Sequence, residues 1–460
     1  MSSTVGSGVL TLLHTACGAG ILAMPYAFKP FGLIFGILMI MFCGLCSMMT
    51  LLIQARVAGY APDSKNASFF SLTQVINKNL SVIFDLAIAI KCLGVGISYL
   101  IVVGDLLPQI AGSITTKPLL LNRDFHITLV MIFVVTPLCL KKRLNSLRHT
   151  SSLAIMSVAY LCVLVIIHLV SSDGDIEQMK GHVSIGLPHH GPSPLTTLPI
   201  FVFAYTCHHN MFSVINEQKD NRFKTTKYIP LISTSLACIL YILIGGCGYM
   251  TFGDKIVGNI ITLYPHSVSS IIGRIAIALL VTLAFPLQCH PARSSIHNIL
   301  AFFYPSLNPD LKNTQEPTAN ADTMSSSQLL ATERTPLVRS ISSIEDNELA
   351  EEQGSIKDVP IEMERKLFLA ITAAILIPSY LVAMSVHSLD KVLAIVGATG
   401  STSISFILPG IFGYRLIGSD GATLTRGDRL LKKLGLAATI WGFFVMTASL
   451  FATFKYNAHH

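Results

Sequence analysis

The chain has 460 residues, of which 52% are hydrophobic and only 12% are charged, and its net charge is +7. Soluble domains carry about 25% charged residues, so this composition excludes an ordinary soluble domain. The positive charge does not indicate a nucleic-acid-binding protein, because Lys and Arg occur in short clusters between apolar segments, as topology signals do.

Apolar segments of about 20 residues recur along the whole chain, and each is long enough to cross a hydrocarbon core of roughly 30 Å as a helix. The alternating pattern of outer-membrane barrel strands is absent from the sequence. We therefore predict an all-α polytopic membrane protein with eleven transmembrane helices. The predicted helices lie at about 5–26, 31–54, 80–108, 124–140, 151–170, 195–216, 228–251, 268–289, 366–386, 390–413 and 434–454.

The order of these segments also predicts how the chain is divided. The first segment starts near residue 5 without a basic region or a cleavage site, so it reads as a retained helix and not as a signal peptide. Residues 305–364 are rich in Ser, Thr, Asn, Asp and Glu and cannot bury enough apolar area to fold. We predict helices 1–8 in residues 1–301, a disordered cytosolic loop in 302–365, and helices 9–11 in 366–460.

The basic residues between the segments predict the orientation in the membrane. They concentrate in the connections between helices 2 and 3, 4 and 5, 6 and 7, and 10 and 11, and they are sparse in the others. Since basic loops stay on the cytosolic side, the N-terminus is expected in the cytosol and the C-terminus on the far side of the membrane.

The first segment contains a candidate interruption at Cys17-Gly18-Ala19-Gly20, followed by Pro25. Two glycines and a proline at the middle of a membrane helix weaken its backbone hydrogen bonding. The alternative interpretation is a close helix crossing of the small-residue kind. Taken alone, the pattern does not decide between them.

The sixth segment carries a matching block of polar residues from Tyr205 to Asn210. The sixth helix is the counterpart of the first in a five-plus-five inverted repeat, and paired interruptions in such repeats mark a transporter's binding site. Exposed half-helix N-termini suit a carboxylate, and freed carbonyls suit an ammonium, so an amino acid fits both. Tyr99, Tyr205 and Thr282 are candidates to line the pocket, and ordinary packing is the open alternative.

Four motifs carry a resemblance to a known family: GAGILAMPYAF, which begins at Gly18, AYTCHHNMF at 204–212, FPLQCHPAR at 285–293 and KCLGVGISYLIVVGDLLPQ at 91–109. They resemble the amino acid/auxin permease family, and within it the vacuolar amino acid transporters of yeasts in the branch associated with export. The resemblance covers nearly all the predicted helices. It implies a LeuT-type fold with broken helices 1 and 6, proton-linked amino acid transport and a vacuolar location.

Together these arguments predict a set of substrate-binding residues in the first, third, sixth and eighth helices. These residues are Ala16, Cys17, Gly18, Ala19, Gly20, Lys91, Tyr99, Tyr205, Thr206, Cys207, Asn210 and Thr282. The family resemblance includes an exporter of aspartate and glutamate, and neutral substrates stay open. No catalytic residues, cofactor or metal site are expected, because no enzyme motif or ligand cluster stands out.

Ionisable residues at membrane depth predict the coupling chemistry. Lys91 could meet an acidic side chain of the substrate, and the alternative is a pair with Asp85 six residues earlier. His14, His208 and His209 are candidates to carry a coupling proton. Sodium-coupled relatives often have Asn where this chain has His14, so the resemblance does not support sodium as the coupling ion.

The long loop supports two further hypotheses. Glu333, Leu337 and Val338 resemble an acidic dileucine signal, which a sorting adaptor would bind to direct the protein to the vacuole. The same loop could dock a signalling partner, in which case the chain would be an amino acid sensor with a transporter fold. A vacuolar transporter that exports amino acids to the cytosol is the leading hypothesis.

Overall fold

A computed structural model describes residues 4–62, 66–77, 80–141, 150–170, 174–188, 193–304, 364–419, 421 and 423–458. The regular elements of this described part are all helices. In chain order they are α1 Val5–Ala16, α2 Gly20–Ala27, α3 Gly32–Val57, α4 Phe69–Ile76, α5 Leu80–Gly112, α6 Pro118–Leu121, α7 Arg123–Val130, α8 Thr136–Cys139, α9 Thr150–Val170, α10 Gly174–Met179, α11 Pro194–Ala204, α12 His208–Asn216, α13 Phe223–Thr226, α14 Tyr228–Phe252, α15 Val268–Phe303, α16 Arg365–Ser385, α17 Leu389–Val396, α18 Leu408–Leu416 and α19 Arg426–Ala458.

Long apolar helices dominate this architecture. Within the described residues, eight helices are long and apolar enough to cross a membrane, and a ninth candidate is the pair α1 and α2. The prediction of an all-helical, multi-pass membrane protein is therefore confirmed. The predicted segments at 124–140 and 195–216 correspond to shorter pieces, α7 to α8 and α11 to α12. The number of eleven spans stays a prediction.

Two membrane segments are interrupted where the sequence predicts it. Helices α1 and α2 are bent by 59° across residues 17–19. Helices α11 and α12 are separated by Tyr205, Thr206 and Cys207. Small residues at the first interruption and polar residues at the second remove the packing and hydrogen bonding that would favour a continuous helix.

Two other segments contain π-helical turns, which insert an extra residue into a helical turn. One lies at Met131–Val135 between α7 and α8, and two lie at Gly397–Ser401 and Ser403–Ile407 between α17 and α18. Such turns often occur at functional sites because they leave backbone groups without their usual partners.

The connections between helices hydrogen-bond to one another in two separate groups. In the first group, Arg56 at the end of α3 donates to Asp428 of α19 at 2.7 Å. The backbone N–H of Gly418, which precedes α19, donates to the hydroxyl of Tyr60, and the amide of Asn216 at the end of α12 donates to the carbonyl of Ala67. The ends of α3, α12 and α18 therefore lie together.

The second group joins the connections that follow α2, α9, α14 and α16. The backbone N–H of Leu33 donates to the carbonyl of Ser184, and the N–H of Gly181 donates to the carbonyl of Phe252. The amide of Asn259 after α14 donates to Asp105 of α5, and Arg123, 3.9 Å from Asp105, donates to the carbonyl of Val386 after α16. No connection of the first group takes part in these bonds.

The predicted cytosolic loop at 302–365 lies almost entirely outside the described residues. The described part leaves out 305–363, and with them the proposed sorting residues Glu333, Leu337 and Val338. Residues 300–368 form a second structural unit, whose described residues are the last turn of α15 with Tyr304, and Glu364 with the first turn of α16.

Candidate functional site

The first interruption separates two short helices. The N–H of Cys17 still bonds to the carbonyl of Leu13, and the N–H of Gly18 turns back to the carbonyl of Ala16 at 2.8 Å. Helix α2 then begins at Gly20 without a side chain that caps its N-terminus. Because the first N–H groups of a helix have no partner inside the helix, this uncapped end is suited to an anionic ligand.

The second interruption is held by side chains from three other helices. The hydroxyl of Tyr241 on α14 donates to the carbonyl of Ala204 at 2.6 Å, and that of Ser47 on α3 donates to the carbonyl of Tyr205 at 3.3 Å. The hydroxyl of Ser405 donates to Thr206 at 3.1 Å. Helix α12 starts after this turn and, like α2, has no side-chain cap.

The two interruptions are in direct contact. A Cβ atom placed on Gly20 would lie 3.0 Å from the Cα atom of Ala204, so a larger residue would push α2 and α11 apart by a few tenths of an ångström. The amide of Asn210 on α12 donates to the hydroxyl of Thr15 on α1 at 2.9 Å. The structure therefore brings together the two polar segments that the sequence predicts as halves of one site.

Lys91 lies within α5 and is only 2% exposed. Its Nζ atom lies 3.1 Å from Nε2 of His209 on α12 and donates to the amide oxygen of Gln288 on α15 at 3.1 Å. Asp85 instead accepts a hydrogen bond from Asn298. Within the described residues Lys91 has no ion pair, so the alternative of a pair with Asp85 is wrong.

The backbone of Lys91 packs closely against the π-helical turn at Gly400. A Cβ atom on Gly400, in the first π-helical turn after α17, would lie 2.7 Å from the backbone nitrogen of Lys91. The hydroxyl of Tyr99, two turns further along α5, would lie 3.0 Å from a Cβ atom on Gly18. One face of α5 therefore reaches both the Lys91 contacts and the first interruption.

Several predicted site residues also have contacts outside the interruptions, and their roles in binding or coupling stay predictions. His14 and Cys17 line an apolar cavity of about 230 Å³ between α1, α9 and α14. The ring of Tyr205 packs edge-on against Tyr241 at 5.0 Å. Thr282 lies half-buried on α15, and it is not among the described residues that hydrogen-bond across the interruptions. Ala16, Ala19 and Cys207 are buried at the interruptions themselves.

The two adjacent histidines of α12 have different surroundings. His208 is fully buried, and its Nε2 atom lies 2.9 Å from the hydroxyl of Thr50 on α3. His209 contacts Lys91. Adjacent residues on a helix point about 100° apart, so only one of the pair can face the lysine.

Sequence reasoning missed Gln288, Ser47, Thr50, Tyr241 and Ser405. Gln288 lies inside the FPLQCHPAR segment, which indicates a polar residue in an apolar helix but does not identify its partner. Ser and Thr in membrane helices usually bond to their own backbone, so nothing in the sequence distinguishes the ones that reach another helix.

Comparison with known proteins identifies the family. The family model described as transmembrane amino acid transporter protein matches residues 1–455. Vacuolar amino acid transporter 6 of Saccharomyces cerevisiae is 57% identical over 460 residues, which cover 99% of this chain and all of the relative. Vacuolar amino acid transporter 5 of the same yeast is 52% identical, with 98% of each chain covered.

A more distant relative extends the same pattern. Vacuolar amino acid transporter 5 of Schizosaccharomyces pombe is 35% identical over 96% of this chain and 93% of the relative. These matches cover nearly the full length of the chain. The chain therefore belongs to the transmembrane amino acid transporter family, which is a family of transporters and not of enzymes.

Proposed function

We propose that this protein is a secondary transporter that moves amino acids across the vacuolar membrane, linked to protons, and that it exports them to the cytosol. The vacuolar location and the amino acid substrates are supported by the names of the relatives, which match nearly the whole chain. Acidic amino acids are the proposed substrates because a buried lysine lies beside the interruptions.

The observation that carries this proposal is the contact between the two interruptions, each of which is followed by an uncapped helix start. Neither α2 nor α12 has a side-chain cap, and their segments touch at Gly20 and Ala204. An amino acid carboxylate binds well to free N–H groups at helix N-termini. Such pairs of half-helices at the midplane form the substrate sites of transporters built from inverted repeats.

The contact between Lys91 and His209 supports proton coupling. A lysine nitrogen and an imidazole nitrogen 3.1 Å apart share a hydrogen bond only when one of them has no proton on the facing side. Charging both groups in a buried site costs free energy through repulsion. Proton transfer at this pair would therefore change whether Lys91 can hold an acidic side chain.

The two groups of connected loops support the proposed topology. The ends of α3, α12 and α18 meet in one group, while the connections after α2, α9, α14 and α16 meet in the other. Eleven helices that alternate in direction, as in the LeuT-type five-plus-five repeat, would produce this division. The basic connections after α3, α12 and α18 belong to the first group, which supports a cytosolic N-terminus, a cytosolic loop at 302–365 and a lumenal C-terminus.

Proteoliposomes test the function directly. The purified chain is reconstituted into liposomes that are acidic inside and loaded with labelled glutamate or leucine, and efflux is measured. We expect efflux that depends on the pH gradient and falls when an ionophore collapses it. Protein-free liposomes are the control for leakage. Efflux that is unchanged after the gradient is collapsed would exclude proton coupling, and absence of flux for every amino acid would exclude the transport function.

A further inference from the structure

A polar cavity of about 470 Å³ lies away from the interrupted helices. It is formed by the last turns of α5, the start of α7, and the connections before α15 and α17. Its polar walls include Asp105, Gln109, Arg123, Asn259 and Asp390. Cavities of roughly 300–1,000 Å³ are typical of small-molecule sites.

Several buried polar atoms of this cavity have no hydrogen-bond partner within the described residues. These atoms are Nε and Nη1 of Arg123, the amide oxygen of Gln109 and the amide oxygen of Asn259. Arg123 donates from Nη2 to the carbonyl of Val386, which orients the guanidinium. The carboxylates of Asp105 and Asp124 lie 3.9 Å from Nε and 3.8 Å from Nη1 of Arg123, which are ion-pair distances but too long for hydrogen bonds.

Buried polar groups are usually hydrogen-bonded, so a cluster of unpaired ones indicates a missing ligand. The unpaired donors are on Arg123, and the unpaired acceptors are the amide oxygens of Gln109 and Asn259. The carboxylate of Asp105 beside them accepts a hydrogen bond from the Asn259 amide at 3.3 Å. An arginine with two free N–H groups matches a carboxylate. Amide and carboxylate oxygens match an ammonium group. A molecule that presents both charges a few ångströms apart would satisfy the whole set.

We propose that this cavity is a second binding site for an amino acid, with the α-carboxylate on Arg123 and the α-ammonium between Asp105, Gln109 and Asn259. The inference rests on the proposed transport of amino acids and adds a binding site for them outside the interruptions. The cavity holds one cation, Arg123, and two carboxylates, Asp105 and Asp390. Neutral and basic amino acids therefore bind here better than acidic ones.

This second binding site is separate from the site at the interruptions. Lys91 and Asp105 lie 14 positions apart on the continuous helix α5, which at 1.5 Å per residue corresponds to about 21 Å. The loops around the cavity belong to the second group of connections, on the side proposed to face the lumen. An amino acid bound here lies outside the site at the interruptions, and the charge of the cavity selects a different amino acid class from the acidic one proposed for the site beside Lys91.

Protection of an introduced thiol tests the site. His387 lines the cavity, is exposed, and is not one of the proposed ligand groups. The full chain carrying His387→Cys, in detergent, is labelled with a water-soluble maleimide, and labelling of the chain without this change is subtracted. The ten native cysteines are free and buried or half-buried, so the background is low. The probes are leucine, lysine and glutamate, each at 10 mM.

We expect leucine and lysine to slow labelling about fivefold, and glutamate to slow it less. Arg123→Gln removes the protection. Gln109→Met weakens it, and since the amide oxygen of Gln109 has no hydrogen-bond partner among the described residues, this change removes no hydrogen bond of that oxygen. Glu177→Gln, an exposed position outside the cavity lining, keeps the protection. Thermal unfolding midpoints and size-exclusion profiles identify any variant that fails to fold, in which case Gln109→Met decides.

The outcomes separate this inference from the proposed function. The Gly20→Ala variant, altered at the interruptions, should keep full protection at His387→Cys. Equal labelling with and without all three probes, or protection that survives both Arg123→Gln and Gln109→Met, would overturn the second site. Protection in a chain that shows no flux in liposomes would overturn the transport function and leave the second site intact.

Discussion

Replacement of Lys91 by methionine separates recognition of the substrate side chain from recognition of its backbone groups. Methionine keeps the volume and removes the charge. The lysine nitrogen is buried and contacts Gln288 and His209, with no carboxylate partner within the described residues. An acidic side chain of the substrate would supply that partner, whereas leucine has no group to offer.

The expected size of the effect follows from the buried hydrogen bond. A hydrogen bond to a charged group contributes about 1.5–3 kcal/mol. Since about 1.4 kcal/mol corresponds to a factor of ten, glutamate should lose about 10- to 100-fold in apparent affinity relative to leucine. In Lys91→Met, Gln288 and His209 lose the lysine as a partner, and this loss affects the binding of glutamate and leucine alike. The ratio of the two apparent affinities therefore reports the contact with the substrate side chain.

The assay is competition of unlabelled glutamate and leucine against a labelled substrate in proteoliposomes. Lys180→Met is the matched control, because Lys180 is half exposed and its ion pair in the described part of the chain is with Glu177 three residues earlier. This control should leave both apparent affinities unchanged. Equal loss for glutamate and leucine in Lys91→Met would refute the proposed role in side-chain recognition and would leave Lys91 as a coupling or structural group.

Three other changes test the packing and the topology. Gly20→Ala should lower flux at least tenfold, because the added Cβ atom would press on the α11 backbone at 3.0 Å. Gly246→Ala, whose Cβ atom would lie 4.0 Å from its nearest neighbour on Leu33, should keep the flux. Equal flux in both variants would contradict the contact. Asp428→Asn weakens a partly buried, two-bonded ion pair with an arginine of α3 and should lower the free energy of unfolding by about 1 kcal/mol, measured by thermal melting in detergent. In intact vacuoles, an impermeant maleimide should label Lys219→Cys and not Lys255→Cys, and the reverse pattern would invert the proposed orientation.

Much of the membrane architecture could be predicted from the sequence because hydropathy is a local property. A run of apolar residues identifies a spanning helix without knowledge of its neighbours. The interruption at Cys17-Gly18-Ala19-Gly20 was predictable for the same reason, since glycine and proline act on their own helix. The shorter pieces α7, α8, α11 and α12 were harder, because π-helical turns and polar blocks blur the apolar pattern.

Long-range contacts were not predictable from spacing along the chain. The partners of Lys91 come from α12 and α15, which are 118 and 197 residues away. No periodicity in the sequence relates these positions. His14 is a second example, because the sequence does not show that it lines an apolar cavity between α1, α9 and α14, and its role as a coupling group stays a prediction.

The sequence by itself determined that this chain is a multi-pass helical membrane protein with two polar interruptions, and its motifs pointed to the correct family. Only the tertiary structure decided that the interruptions touch, that Lys91 meets His209 and Gln288, and that Arg123 and Asn259 share a second cavity. The physical reason is that hydrophobicity and helix breaking act within a segment. Side-chain recognition instead depends on how closely separate helices pack, and here single glycines such as Gly20 and Gly400 set that distance.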